Sequence, residues 1–150
     1  MAAGWSLACF FLLTFAVAGF AAQFEPGLWY EGIQKPGFTP PNWVFGPAWT
    51  VLYAAVAVAG WMVWRVAGWG RALALWIAQP LLNGAWSWLF FGLHEPGLAL
   101  AEILVLWIAI AATIAAFLHV RRAAAFLLVP YLAWVSFAGL LNAAIWHLNR

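Results

Sequence analysis

Two rows of side chains in this 150-residue chain combine aromatic rings with amides at helical spacing. Trp76, Gln79, Asn83, Trp86 and Phe90 fall on one helix face when residues advance by about 100° each. Tyr131, Trp134, Ala138 and Asn142, spaced by three, four and four residues, share a face of another helix. Rings offer stacking surface, one small residue leaves room, and amides offer donors and acceptors. Together they describe a pocket for a flat, largely apolar ligand with polar edges. The alternative is amides that tie helices to one another. It accounts for Asn83 or Asn142 singly, and less well for the repetition on two helices.

The same inventory lacks the parts of ordinary catalysis. There is no aspartate, no Ser/His/Asp grouping, no carboxylate pair and no phosphate-cradling glycine loop. His94, His119 and His147 fall at helix ends or in a connection, so none sits deep enough to serve as an axial haem ligand. Cys9 is the single cysteine, which excludes an internal disulfide and a multi-cysteine metal site. Glu102 is the one acid expected inside an apolar run, where it snorkels or pairs with an amide. These absences lead to the expectation of no conventional catalytic residue, no metal and no resident cofactor. The formal charge of +2 is small and dispersed, which excludes a nucleic-acid partner.

The elements that carry these rows are built for lipid. Hydrophobic residues make up 68% of the chain and charged residues 7%, against about a quarter charged in soluble domains. Apolar runs at 4–23, 44–66, 71–91, 97–119 and 124–147 each meet the length of about 20 residues needed to cross a bilayer. The expectation is one all-α integral membrane domain over residues 1–150: a bundle of five transmembrane helices with a long ordered loop between the first and second. The first run has no preceding Lys or Arg and is read as a retained helix, not a cleaved signal. Five crossings place Arg65, Arg71, Arg121 and Arg122 on the N-terminal side. Lys35, Arg150, Glu25, Glu31 and Glu95 fall on the other. The excess of basic residues predicts a cytoplasmic N-terminus and an outward-facing first loop in a bacterial inner membrane. Ala74, Ala78 and Ala85 lie opposite the amide row, on a face that offers a second copy of the chain a close approach.

The long loop and the helix after it stand apart in composition. Trp29 to Tyr53 holds Pro36, Pro40, Pro41 and Pro47 and the only lysine, Lys35. Proline fixes its own φ and biases the preceding residue towards extended conformations. The result is a stiff, irregular cap that gives way to helix near Val44, with Pro47 in the first turn. Most of the thirteen tryptophans fall near helix ends or, like Trp29 and Trp43, in the long loop, as interfacial belts require. Trp107 and Trp134 do not, being near the middle of their runs, and Trp49 lies a turn inside, followed a turn deeper by Tyr53. Indoles at that depth pack between helices or line a cavity. Trp49, Tyr53, Trp107 and Trp134 therefore join Gln79, Asn83, Trp86, Ala138 and Asn142 as candidates for the pocket wall.

The pattern WY…KPxxTPPxW…WxxLY (Trp29 to Tyr53), with LLNGAW (Leu81–Trp86) and PYLAWVSFAGLLN (Pro130–Asn142), resembles the TspO/translocator protein family of tryptophan-rich sensory proteins. That family also takes in the mammalian peripheral-type benzodiazepine receptor. The three blocks occur in order and cover nearly the whole chain. The resemblance implies a five-helix bundle, often dimeric, whose first loop caps a pocket. Its ligands would be porphyrins such as protoporphyrin IX, sterols in some members, and isoquinoline carboxamide or benzodiazepine-type drugs. The matching positions are Tyr30, Trp49, Tyr53, Asn83, Trp86, Trp134 and Ala138. The implied role is that of a sensor or carrier in tetrapyrrole regulation or transport. The alternative it implies is light-dependent porphyrin degradation using Trp49 and Trp134. Mammalian members carry an apolar–Tyr–basic pattern for cholesterol at the end of the fifth helix. Here Trp146 stands before Arg150 and no tyrosine is present, which favours porphyrin over sterol.

Overall fold

Surrounded by apolar side chains and lipid, a backbone satisfies its amides by pairing them within helices. The structure, a computed structural model, describes residues 2–24 and 26–150, and helices dominate them, with no strand among the described residues. Glu25, one of the acids in the charge count above, lies outside the described residues. In chain order the helices are α1 (Ala2–Ala22), α2 (Leu28–Gly32), α3 (Asn42–Ala67), α4 (Arg71–Ser87), α5 (Pro96–Leu118), α6 (Arg122–Leu127) and α7 (Val129–Asn149). Four stretches among the described residues are long and apolar enough to cross a membrane: Ala3–Ala22, Asn42–Ala67, Pro96–Leu118 and Arg122–Asn149.

The fourth helix departs from the expected pattern. Its regular part runs for 17 residues, against about 20 for a typical crossing, and carries Gln79, Pro80 and Asn83. It then continues as a π-helical segment, Trp88–Gly92, in which the amide of Leu93 bonds the carbonyl of Trp88 at 2.8 Å. Other boundaries shift for local reasons. Helix α3 starts at Asn42 with Pro41 as its N-cap, so Pro47 sits inside the helix rather than in a first turn from Val44. The last run divides into α6 and α7 just before Pro130, which takes a first-turn position of α7.

The helices pack in a ring: α1 lies between α3 and α4, α5 covers α4 and α7, and α6 closes the circuit onto α3. One half of the interior is solid, filled by Val56, Val63, Leu73, Trp76, Leu106 and Ile110. Trp76 is fully buried, and its Nε1 donates to the carbonyl of Val56 at 2.8 Å. Gly60 makes that approach possible, because a Cβ there would come within 2.6 Å of the same indole nitrogen. The indole thus lies on bare backbone, where any side chain would displace it.

The expected irregular cap contains one helical turn, α2, held by its neighbours. The Nζ of Lys35 folds back to donate to the carbonyl of Tyr30 at 2.6 Å and that of Ile33 at 3.3 Å, and lies 4.8 Å from the centre of the Tyr30 ring. One ammonium therefore neutralises the exposed carbonyl end of α2. Thr39 bonds the carbonyl of Pro36 through its hydroxyl. Asn149, at the end of α7, accepts from the Gln34 amide at 2.9 Å and donates to the Gln34 carbonyl at 2.8 Å. Trp29 stacks on His94 with ring centres 4.5 Å apart, and His94 takes a positive φ of 56° to meet it.

Gly60→Ala is expected to destabilise the protein by about 1–3 kcal/mol through overpacking against Trp76. Thermal unfolding in detergent checks this, with Gly37→Ala, whose Cβ would meet nothing within 4 Å, as the unchanged control.

Candidate functional site

The other half of the interior is hollow. A cavity of about 730 Å³ opens among the C-terminal half of α1, the start of α3, the end of α4 with its π segment, and α7. That volume lies in the range of pockets that enclose drug-sized ligands, about 300–1,000 Å³. Tyr30 of α2, 2% exposed, closes the cavity from the loop side. It rests on Phe91 at 5.6 Å and Phe90 at 6.5 Å between ring centres, and Trp29 meets Phe90 edge-on at 5.7 Å. The π segment is what sets this up. One extra residue per turn lets Trp86, Phe90 and Phe91 all reach the cavity and each other, with Phe90 and Phe91 4.8 Å apart.

On the opposite side Trp49 and Trp134 meet edge to face, with ring centres 6.2 Å apart and planes at 87°. Phe45 packs against Trp134 at 6.1 Å, and Trp49 against Tyr53 at 5.7 Å. Trp49 and Trp134 thus form a joined corner of the wall.

At the floor three residues from three helices form one polar bridge. The Tyr53 hydroxyl donates to Asn83 Oδ1 at 3.1 Å, and Asn83 Nδ2 donates to the Tyr131 hydroxyl at 2.9 Å. A second bridge lies nearer the lid. Trp86 Nε1 donates to Asn142 Oδ1 at 2.9 Å, and Asn142 Nδ2 donates to the carbonyl of Pro96 at 2.8 Å. Both amides line the cavity, yet each has its donor and its acceptor engaged within the protein. Amide glue and pocket wall, set out above as alternatives, are carried by the same side chains.

The groups left free are different ones. The Tyr30 hydroxyl and Trp134 Nε1 are buried without a hydrogen-bond partner, and both residues line the cavity. Burial pushes the Tyr30 phenol above its ordinary pKa, so it keeps its proton at neutral pH and remains a donor.

The cavity lining takes in Tyr30, Trp49, Tyr53, Asn83, Trp86, Trp134, Ala138 and Asn142, and leaves out Gln79 and Trp107. Gln79 is buried on the expected face, but its Nε2 donates to the carbonyl of Trp76 at 3.1 Å. That carbonyl is the one Pro80 deprives of its helical partner, so Gln79 repairs a break one residue away. Trp107 is 41% exposed, and its Nε1 donates to Ser136 Oγ at 2.8 Å. It belongs to α5, which adds no residue to the lining.

Residues 6–147 match the model of the TspO/MBR family. The chain is 43% identical over 144 residues to the tryptophan-rich protein TspO of Archaeoglobus fulgidus, covering 92% of this chain and 94% of that one. The translocator protein of Bos taurus is 40% identical, over 100% of this chain and 94% of its own. The chain belongs to the TspO/MBR family. A third relative, the tryptophan-rich sensory protein of Cereibacter sphaeroides, is 40% identical over 97% of this chain and 92% of its own. Family membership and four membrane-length apolar helices make this TspO/MBR protein an integral membrane protein in a lipid bilayer.

Some of this TspO/MBR cavity was not visible in the sequence. Phe15, Ala18 and Ala22 of α1 line it, but α1 is apolar all round and presents no periodic face by which to choose them. Phe91 is a second case, since a regular helix would turn it away from the face that carries Trp86 and Phe90.

Asn83→Leu strands two buried hydroxyls and is expected to cost about 1–3 kcal/mol for each group left unpaired. Thermal unfolding checks this, and adding Tyr53→Phe to Asn83→Leu should recover part of the loss.

Proposed function

We propose that this protein binds a porphyrin-type tetrapyrrole, or a related flat apolar ligand, in the capped aromatic cavity, and that it acts as a sensor or carrier in tetrapyrrole handling. The observation that carries the reading is an aromatic-rich cavity of about 730 Å³ whose lining includes Tyr30 and Trp134, each with a buried polar atom that has no partner in the protein. Groups left unpaired inside a protein are costly, and a ligand with acceptors at its edge would complete them. Trp49, Trp86, Phe90 and Trp134 supply ring faces and edges for a macrocycle, and Tyr53, Asn83, Ala138 and Asn142 complete the lining. Relatives named translocator protein and tryptophan-rich sensory protein agree with carriage and sensing as roles.

In this reading α4 with its π segment makes a fifth crossing. The N-terminus is cytoplasmic and the loop containing α2 faces outward as the lid, consistent with the basic residues near the opposite end. A second copy would dock on the Ala74, Ala78 and Ala85 face, where Ala74 is exposed and the other two are half-buried.

Titration with protoporphyrin IX, followed by quenching of tryptophan fluorescence, tests the reading. Aromatic pairs contribute about 0.5–1.5 kcal/mol each beyond buried area, so the Trp49→Ala, Trp134→Ala double variant should bind about tenfold more weakly. Unchanged affinity would remove the stacking mechanism.

The edge-to-face contact of Trp49 and Trp134 at the cavity wall favours one second reading, light-dependent degradation of bound porphyrin through these indoles. Illumination of the complex should then bleach the porphyrin to a defined product, and more slowly in Trp→Phe variants at either position. Equal bleaching in those variants would mark ordinary photodamage.

A further inference from the structure

At the end of the bundle remote from the cavity, a second hollow of about 320 Å³ lies between α3 and the turn that leads into α6, lined by Trp61, Met62, Arg65, Val66 and Arg121. Two arginines from separate elements meet there. Arg65 follows Trp61 by one helical turn, and its guanidinium sits over the Trp61 ring at 5.2 Å. The ring is itself fixed, since Trp61 Nε1 donates to Ser6 Oγ of α1 at 3.0 Å. Arg121 reaches the hollow from extended backbone just before α6, with φ of −152°. Among the described residues no acid belongs to this end: Glu31 lies in α2, Glu95 before α5 and Glu102 in its second turn, all at the cavity end. The two positive charges therefore face a hollow with no acid among the described residues at this end to neutralise them.

We propose that this hollow is a binding site for the phosphate of an anionic membrane lipid. Guanidinium forks match phosphate oxygens in geometry and charge, and basic pockets between membrane helices are suited to acidic head groups. The rest of the lining identifies the phosphate as lipid-borne. Trp61, Met62 and Val66 are apolar, and Val66, 57% exposed, carries that surface out onto the side of α3, where an acyl chain would lie against it. A free inorganic anion would leave this apolar wall unused.

Native mass spectrometry of the detergent-purified protein tests the site, using phosphatidylglycerol and phosphatidylcholine with the same acyl chains. The wild type should retain phosphatidylglycerol at about thirtyfold lower lipid concentration, as two interfacial arginines provide. Arg65→Gln with Arg121→Gln should abolish the preference, and both side chains are exposed, so the core is undisturbed. Arg150→Gln, at the cavity end, should keep it. Equal retention of the two lipids by the wild type, or a preference that survives in the double variant, would overturn the proposal. So would inorganic phosphate that displaces phosphatidylglycerol at millimolar concentration, because the site would then be one for a free anion.

Discussion

A polar side chain enclosed by apolar helices in a bilayer has no water to turn to, so its hydrogen bonds must be completed inside the bundle. Asn83 is where this constraint binds hardest. One amide holds a tyrosine of α3 and a tyrosine of α7, and so ties three helices at one depth. Asn142 does the same for the π segment's neighbour Trp86 and the first residue of α5. Below this level the interior is filled by Trp76 and aliphatic side chains; above it the helices stand apart around the cavity. Asn83 marks the boundary between packed core and open pocket, and Asn142 ties the wall nearer the lid.

The same requirement explains the lid. A short helix of five residues cannot stand alone, and its carbonyl end needs donors. Lys35 supplies them, and Asn149 fastens the strand of loop beyond it to α7 through a two-way amide contact. Trp29 and Tyr30 then lie against the aromatic cluster of the π segment. Ring packing and a few polar ties position Tyr30 over the cavity without any covalent restraint. The residues that close the pocket are held by contacts distinct from those that form its wall.

Much of this was legible in the residues. Asn83, Trp86, Trp134, Ala138 and Asn142 could be assigned to helix faces by spacing alone, and those faces do point into the bundle. Spacing did not separate Gln79 from Asn83, which share a face and a chemistry. The difference is that Pro80 leaves a carbonyl bare within reach of one amide and not the other. Depth placed Trp107 and Trp134 alike, yet α5 turns Ile103, Leu106 and Ile110 into the core and leaves Trp107 41% exposed. The contribution of α1 and the π turn at Trp88–Gly92 had no local signature. Uniform apolarity hides a helix's inner face, and a one-residue change of register arises from packing rather than propensity.

By itself the sequence determined the helical class, the membrane setting and the family, together with the aromatic and amide residues that gather at one end. Those properties follow from local composition, hydrophobic run length and period, which are present in any short window of the chain. Only the tertiary structure decided which polar groups are spent on the protein and which remain free. The amides of Asn83 and Asn142 are engaged, whereas the Tyr30 hydroxyl and Trp134 Nε1 are buried with no partner in the protein. The physical reason is that a hydrogen bond depends on the distance between groups remote in the chain: Asn83 and Tyr131 are separated by 48 residues and Trp86 and Asn142 by 56. No periodicity along one helix encodes those separations.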